Sequence, residues 1–178
     1  MRKYSTVEAA LEAVRQDGLA LRDVPEDLKT EAVCLAAVRE YGLALAFVPK
    51  ELKTPEVCLE AVKQDGRALK FVPAARKTET VCIEAVRQTG RALKLVPERL
   101  KTPAVCLEAV KMRGLSLLDV PVPLRSEEMC TTAVRQHPSA MQFVPVRHRD
   151  GVKTAVEQET DLDAEPEDTE PETDGPRP

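Results

Sequence analysis

Five cysteines stand at positions 34, 58, 82, 106 and 130, evenly spaced by 24 residues. Thiolates hold metals and exchange disulfides, so such a ladder raises both chemistries. Neither fits. Zinc sites pair Cys or His two to four residues apart, and none of the five has such a neighbour. Cysteines on adjacent units would hold their Cα atoms about 10 Å apart, beyond the roughly 7 Å that a disulfide spans. Four of the five sit between Val and Leu or Ile, where Cys behaves as a small hydrophobe. They are expected buried, reduced and inert. The only histidines are His137 and His148, and no Ser-His-Asp order, phosphate-cradling glycine loop or metal-ligand cluster accompanies them. No catalytic residue, cofactor or metal is expected.

Cations offer a different chemistry. Arg15, Arg39, Lys63, Arg87, Lys111 and Arg135 recur at one position, and Lys29, Lys53, Lys77, Lys101 and Arg125 at another. Rows of positive charge could track a phosphate backbone or grip an acidic protein. The ordinary reading is a solvated helix face, because Glu12, Glu60, Glu84 and Glu108 stand three residues before their partners. No aromatic residues interleave with the first row to stack bases. Polyanion binding through it is therefore the second choice.

A third row runs Asp23, Phe47, Phe71, Leu95, Asp119 and Phe143. Its apolar centre borders the buried stripe. Together with Lys70 and Lys94, the patch of Phe47, Phe71 and Leu95 is the candidate partner-binding surface, since exposed apolar patches mark binding sites. Ala46, Lys70, Lys94 and Leu118, and likewise Tyr41, Asp65, Thr89 and Arg113, differ between units at positions where recognition is tuned.

The elements that position these rows follow from the period. Proline recurs at 25, 49, 73, 97, 121 and 145, and glycine at 18, 42, 66, 90 and 114. Such a clock marks a stacked repeat. In Thr54–Lys77 the unit reads plainly. Thr54 caps a helix that opens with Pro55 and Glu56. Val57, Cys58, Ala61 and Val62 form its apolar stripe. Gly66 is expected to end the helix in a left-handed conformation. A shorter helix follows, with Ala68, Leu69 and Val72 inward, and Pro73 opens a final turn. Two short helices cannot bury their own faces, so the units must stack. Six fit: 6–29, 30–53, 54–77, 78–101, 102–125 and 126–149. The outer two depart from the pattern as caps: Ala10 replaces Cys in the first, and Pro138 and Met141 replace Gly and Leu in the last.

Ala68-Leu69-Lys70-Phe71-Val72-Pro73, followed by Lys77-Thr78-Glu79-Thr80-Val81-Cys82-Ile83-Glu84-Ala85-Val86, resembles a bacterial family of short α-helical repeats, a domain of unknown function. The resemblance covers roughly residues 6–149. It implies an all-α solenoid and brings no catalytic residues. The likeness to leucine-rich repeat variants, which also use 24-residue units, is architectural.

Net charge is −4, yet Ala155–Pro178 holds ten acids against Arg177, leaving 25 bases and 20 acids in residues 1–154. From about Asp150 the chain has little apolar content and is expected to be a disordered acidic tail. Such a tail could lie along the basic rows and compete with external anions. The N-terminus shows no apolar signal region, and no run approaches the roughly 20 apolar residues of a membrane span. The expectation is a soluble cytoplasmic scaffold that binds a protein or peptide.

Overall fold

A computed structural model describes residues 4–162. Helices α1 (Val7–Gln16), α2 (Glu31–Glu40), α3 (Pro55–Gln64), α4 (Glu79–Gln88), α5 (Pro103–Met112) and α6 (Glu127–Gln136) each span ten residues and start 24 residues apart. Each begins with a hydroxyl cap. Thr6, Thr30, Thr54, Thr78, Thr102 and Ser126 accept from the amide three residues on, at 3.2–3.4 Å. Such a cap stabilises a helix by about 1 kcal/mol, a large share for only ten residues.

The second helix of every unit is a 3-10 helix of six residues, from Gly18–Asp23 to Pro138–Phe143. A three-residue 3-10 turn then opens after proline, as at Glu26–Leu28. Three residues per turn bring Gly66, Leu69 and Val72 onto one buried face. Every substantial contact lies within one unit or joins adjacent units, α-helix to α-helix and 3-10 helix to 3-10 helix, so the α-helices form one layer and the 3-10 helices the other. Between them Leu21, Leu45, Leu69, Leu93 and Leu117 are fully buried, with valines and cysteines of the α-helices facing them.

The repeating glycines work differently from expectation. No glycine among the described residues has a positive φ. The α-helix ends instead on an extended residue such as Asp65 (φ −147°), whose amide still donates to Ala61 O at 2.9 Å. Glycine then opens the 3-10 helix where the next unit's helix passes closest. A Cβ on Gly18, Gly90 or Gly114 would lie 2.5 Å from the carbonyl oxygen of Ala37, Ala109 or Ala133. Gly42 and Gly66 stand closer still to Ala61 and Ala85. Glycine is there because two backbones touch.

The chain also stays ordered further than composition suggested. Helix α7 (Arg149–Leu162) packs on α6, with Val152 fully buried and Val156 against the core. The disordered tail expected from about Asp150 is thus corrected as far as Leu162; its remainder, residues 163–178, lies outside the described residues. Val152, Ala155 and Val156 share one helical face and close the open end of the sixth unit, while Tyr4 is buried at the other end.

One core position is imperfect. Ser116 occupies the place of Ala20, Ala44, Ala68 and Ala92, and its buried hydroxyl has no hydrogen-bond partner. An unmet hydroxyl in such a core costs about 1–3 kcal/mol. Ser116→Ala is therefore expected to raise stability by about 1 kcal/mol in urea unfolding; a loss of stability would contradict this.

Candidate partner-binding face

The cation row at the end of each unit is built into the stack. Lys29 and Lys53 donate from Nζ to the carbonyl oxygens of Phe47 and Phe71 at 3.1 Å, Lys77 to Leu95 at 3.3 Å and Lys101 to Asp119 at 3.1 Å. Arg125 Nη1 does the same to Phe143 at 2.6 Å. Each acceptor is the last residue of the next unit's 3-10 helix, where carbonyls lack intrahelical partners and the dipole favours a cation. By spacing alone this row could track phosphates as well as the other. It is instead a ladder of C-terminal caps, with the Lys29 side chain only 6% exposed. Lysine at this position in four consecutive units was the available clue, since the exposed row mixes Arg and Lys.

The other row is exposed and largely met by acids. Glu60 bridges Arg39 (3.1 Å) of the preceding unit and Lys63 (3.2 Å) of its own. Glu108 bridges Arg87 (3.1 Å) and Lys111 (3.3 Å) in the same manner, and Glu84 adds a second contact to Arg87. Hydrogen bonds from Lys63 and Arg39 hold the Glu60 carboxyl below the usual range, and those from Arg87 and Lys111 do so for Glu108. Such exposed pairs are worth about 0–1 kcal/mol each. Arg15 is exposed beside Leu11 and Leu35 in a groove between α1 and α2; Arg135, at the far end, is also exposed.

The 3-10 layer presents a different surface. Phe47, Phe71 and Leu95 are half-buried against the core, and Phe143 lies in the same row. Lys70 and Lys94 are exposed beside them, with Lys70 Nζ 4.5 Å from the Phe71 ring centre. Arg67 pairs with Asp65 at 2.6 Å. A cleft of about 320 Å³ runs between Arg67 and Arg91. A second, of about 290 Å³, lies further along, lined by Lys94, Arg113, Leu115, Leu118, Asp119 and Phe143 among others. Sequence reasoning placed Lys94 and Leu118 in one row of variable positions and Arg113 in another, without joining either row to Phe143. Only the stacking of three units brings them to one cleft.

All five cysteines are free and buried. Burial pushes Cys34 and Cys106 up to about 11 and raises Cys58, Cys82 and Cys130 as well. The native chain at pH 8 is expected to react slowly with Ellman's reagent, and all five thiols quickly in guanidinium. A thiol raised in the folded state stabilises fully below its unfolded value near 9, and that contribution fades as pH climbs toward about 11. Fast native reaction at pH 8 would show that the thiols are not enclosed.

Tandem short helices with a continuous core and nearest-neighbour packing define an α-solenoid of the helical-repeat class. The family model described as "Domain of unknown function (DUF4116)" matches residues 7–53, 30–75 and 54–101, over half of the chain, and the protein belongs to that family. No curated protein matches, nor does any solved structure. The remaining units, from Thr102 onward, continue the same 24-residue pattern.

No helix among the described residues is long and apolar enough to cross a membrane. They likewise contain no group of three or more His, Cys, Asp or Glu side chains placed to hold a metal ion.

Proposed function

We propose that the solenoid is a non-enzymatic scaffold that binds a protein or peptide across its 3-10 layer. The observation that carries this reading is the contrast between the two sides of each 3-10 helix. Inward, Leu21, Leu45, Leu69, Leu93 and Leu117 repeat without change; outward, Arg22, Ala46, Lys70, Lys94 and Leu118 vary in charge and size. Packing requires the first set alike and leaves the second free to match a partner. Phe47, Phe71 and Leu95 supply apolar area beside it, and Lys70 and Lys94 supply charge.

Polyanion binding through Arg15, Arg39, Lys63, Arg87, Lys111 and Arg135 is the weaker reading, because Glu60, Glu84 and Glu108 already engage the middle of that row. The lysines behind it are occupied by carbonyls. The test is capture from the native lysate at two salt concentrations, with wild type beside Lys70→Glu and Phe71→Ala. A protein retained at high salt and lost with both variants supports the scaffold. Nucleic acid that leaves steeply with salt would support the other reading.

A further inference from the structure

From the second cleft of the 3-10 layer we infer the chemistry of the partner: an acidic linear segment of another protein, carrying one aliphatic or aromatic anchor. This rests on the scaffold reading and sharpens it to one site. Lys94 and Arg113 stand on the cleft, and neither has an ion pair among the described residues. Arg91, in the same unit as Lys94 but on the first cleft, is also exposed and without one. The lone carboxylate on the cleft, Asp119, leaves an excess of positive charge beside it.

Part of its lining is apolar, beside Ser139 and Gln142. Leu118 is 52% exposed, an unusual state for leucine in a chain whose core leucines are fully enclosed. Leu115 and Phe143, both half-buried, line the same cleft. An apolar anchor would cover Leu118 and Phe143 and exclude water from them. Carboxylates flanking that anchor would meet Lys94 and Arg113. A basic partner is repelled by this arrangement, and a purely polar one leaves Leu118 wet. A nucleic acid would lack a stacking partner, because the one aromatic ring there is half-buried among leucines.

A random-peptide phage library panned on the immobilised full chain tests the inference. The expected outcome is enrichment of peptides combining Asp or Glu with a single Leu, Ile or Phe. Those peptides should bind Lys94→Glu and Leu118→Asp chains about tenfold more weakly, with unchanged circular dichroism because both side chains are exposed. Lys94→Gln should give a smaller loss. Enriched peptides that lack acids, or acidic ones indifferent to both substitutions, would overturn the inference while leaving the scaffold standing. So would displacement by an oligothymidylate at equal concentration. Acidic peptides bound only after Asp and Glu of residues 163–174 are replaced by Asn and Gln would assign the cleft to the chain's own tail and overturn the partner. No enrichment on wild type would sink the scaffold reading as well.

Discussion

Gly90→Ala lowers the melting temperature by roughly 6–12 °C, from a cost of about 3 kcal/mol. The sign matters more than the size. Backbone at Gly90 lies outside the left-handed region, so alanine fits its dihedral angles without strain. On that ground alone the substitution would stabilise by about 0.4–1 kcal/mol through the unfolded chain. The opposing term is contact. The new Cβ would sit 2.5 Å from Ala109 O, 2.8 Å from Arg113 Cβ and 2.9 Å from Ser116 Oγ. A backbone carbonyl inside α5 cannot swing aside, so units four and five must separate and expose part of their shared core. Pro138 occupies the glycine's place in the sixth unit, and Pro138→Ala is expected to change stability by under about 1 kcal/mol. A stabilised Gly90→Ala chain in calorimetry would show that the glycine is only a helix terminator.

The repeat and its caps were legible because they are local. Thr54-Pro55-Glu56 states a helix start within three residues, and Val57, Cys58, Ala61 and Val62 state its buried face. What escaped is set by neighbours. Gly66 looked like a left-handed terminator because its own unit offers no other reason for glycine; the reason is Ala85, in the next one. The Gly66, Leu69, Val72 spacing of three was in plain view and pointed to a 3-10 helix, a form uncommon beyond three or four residues. Helix α7 was hidden by averaging: Val152 and Val156 share a segment with the acids beyond, and composition over that segment masks an apolar face little more than one turn long. Candidate-site residues were found one row at a time. Phe71 and Lys70 belong to neighbouring rows, and the ammonium of one lies over the ring of the other. Lys94 and Leu118 stand one period apart in a single row, but the cleft also takes Arg113 and Phe143 from two other rows, and three stacked units are needed to bring all four together.

The lysine ladder yields the second large expectation: Lys29→Met costs about 2 kcal/mol, the range of a hydrogen bond to a charged group, and lowers the melting temperature by roughly 4–8 °C. Methionine keeps most of the buried stem, so the change isolates the ammonium. Its removal strips the Phe47 carbonyl of its 3.1 Å donor and Glu26 of its 2.6 Å partner. The carbonyl closes a 3-10 helix whose end has no other donor to turn to, and the first two units lose a clasp between them. Lys29→Arg should hold within about 1 kcal/mol, because Arg125 already serves the same carbonyl position at 2.6 Å in the fifth unit. Arg39→Met supplies the contrast. It removes a charge of the exposed row, paired with Glu60 at 3.1 Å, and surface pairs of this kind are worth about 0–1 kcal/mol. Added salt should shrink the Arg39→Met effect further and leave that of Lys29→Met nearly unchanged, since a 6% exposed side chain bonded to a carbonyl is poorly screened. Equal losses from Lys29→Met and Arg39→Met in urea unfolding, both erased by salt, would return the lysines to the solvated surface.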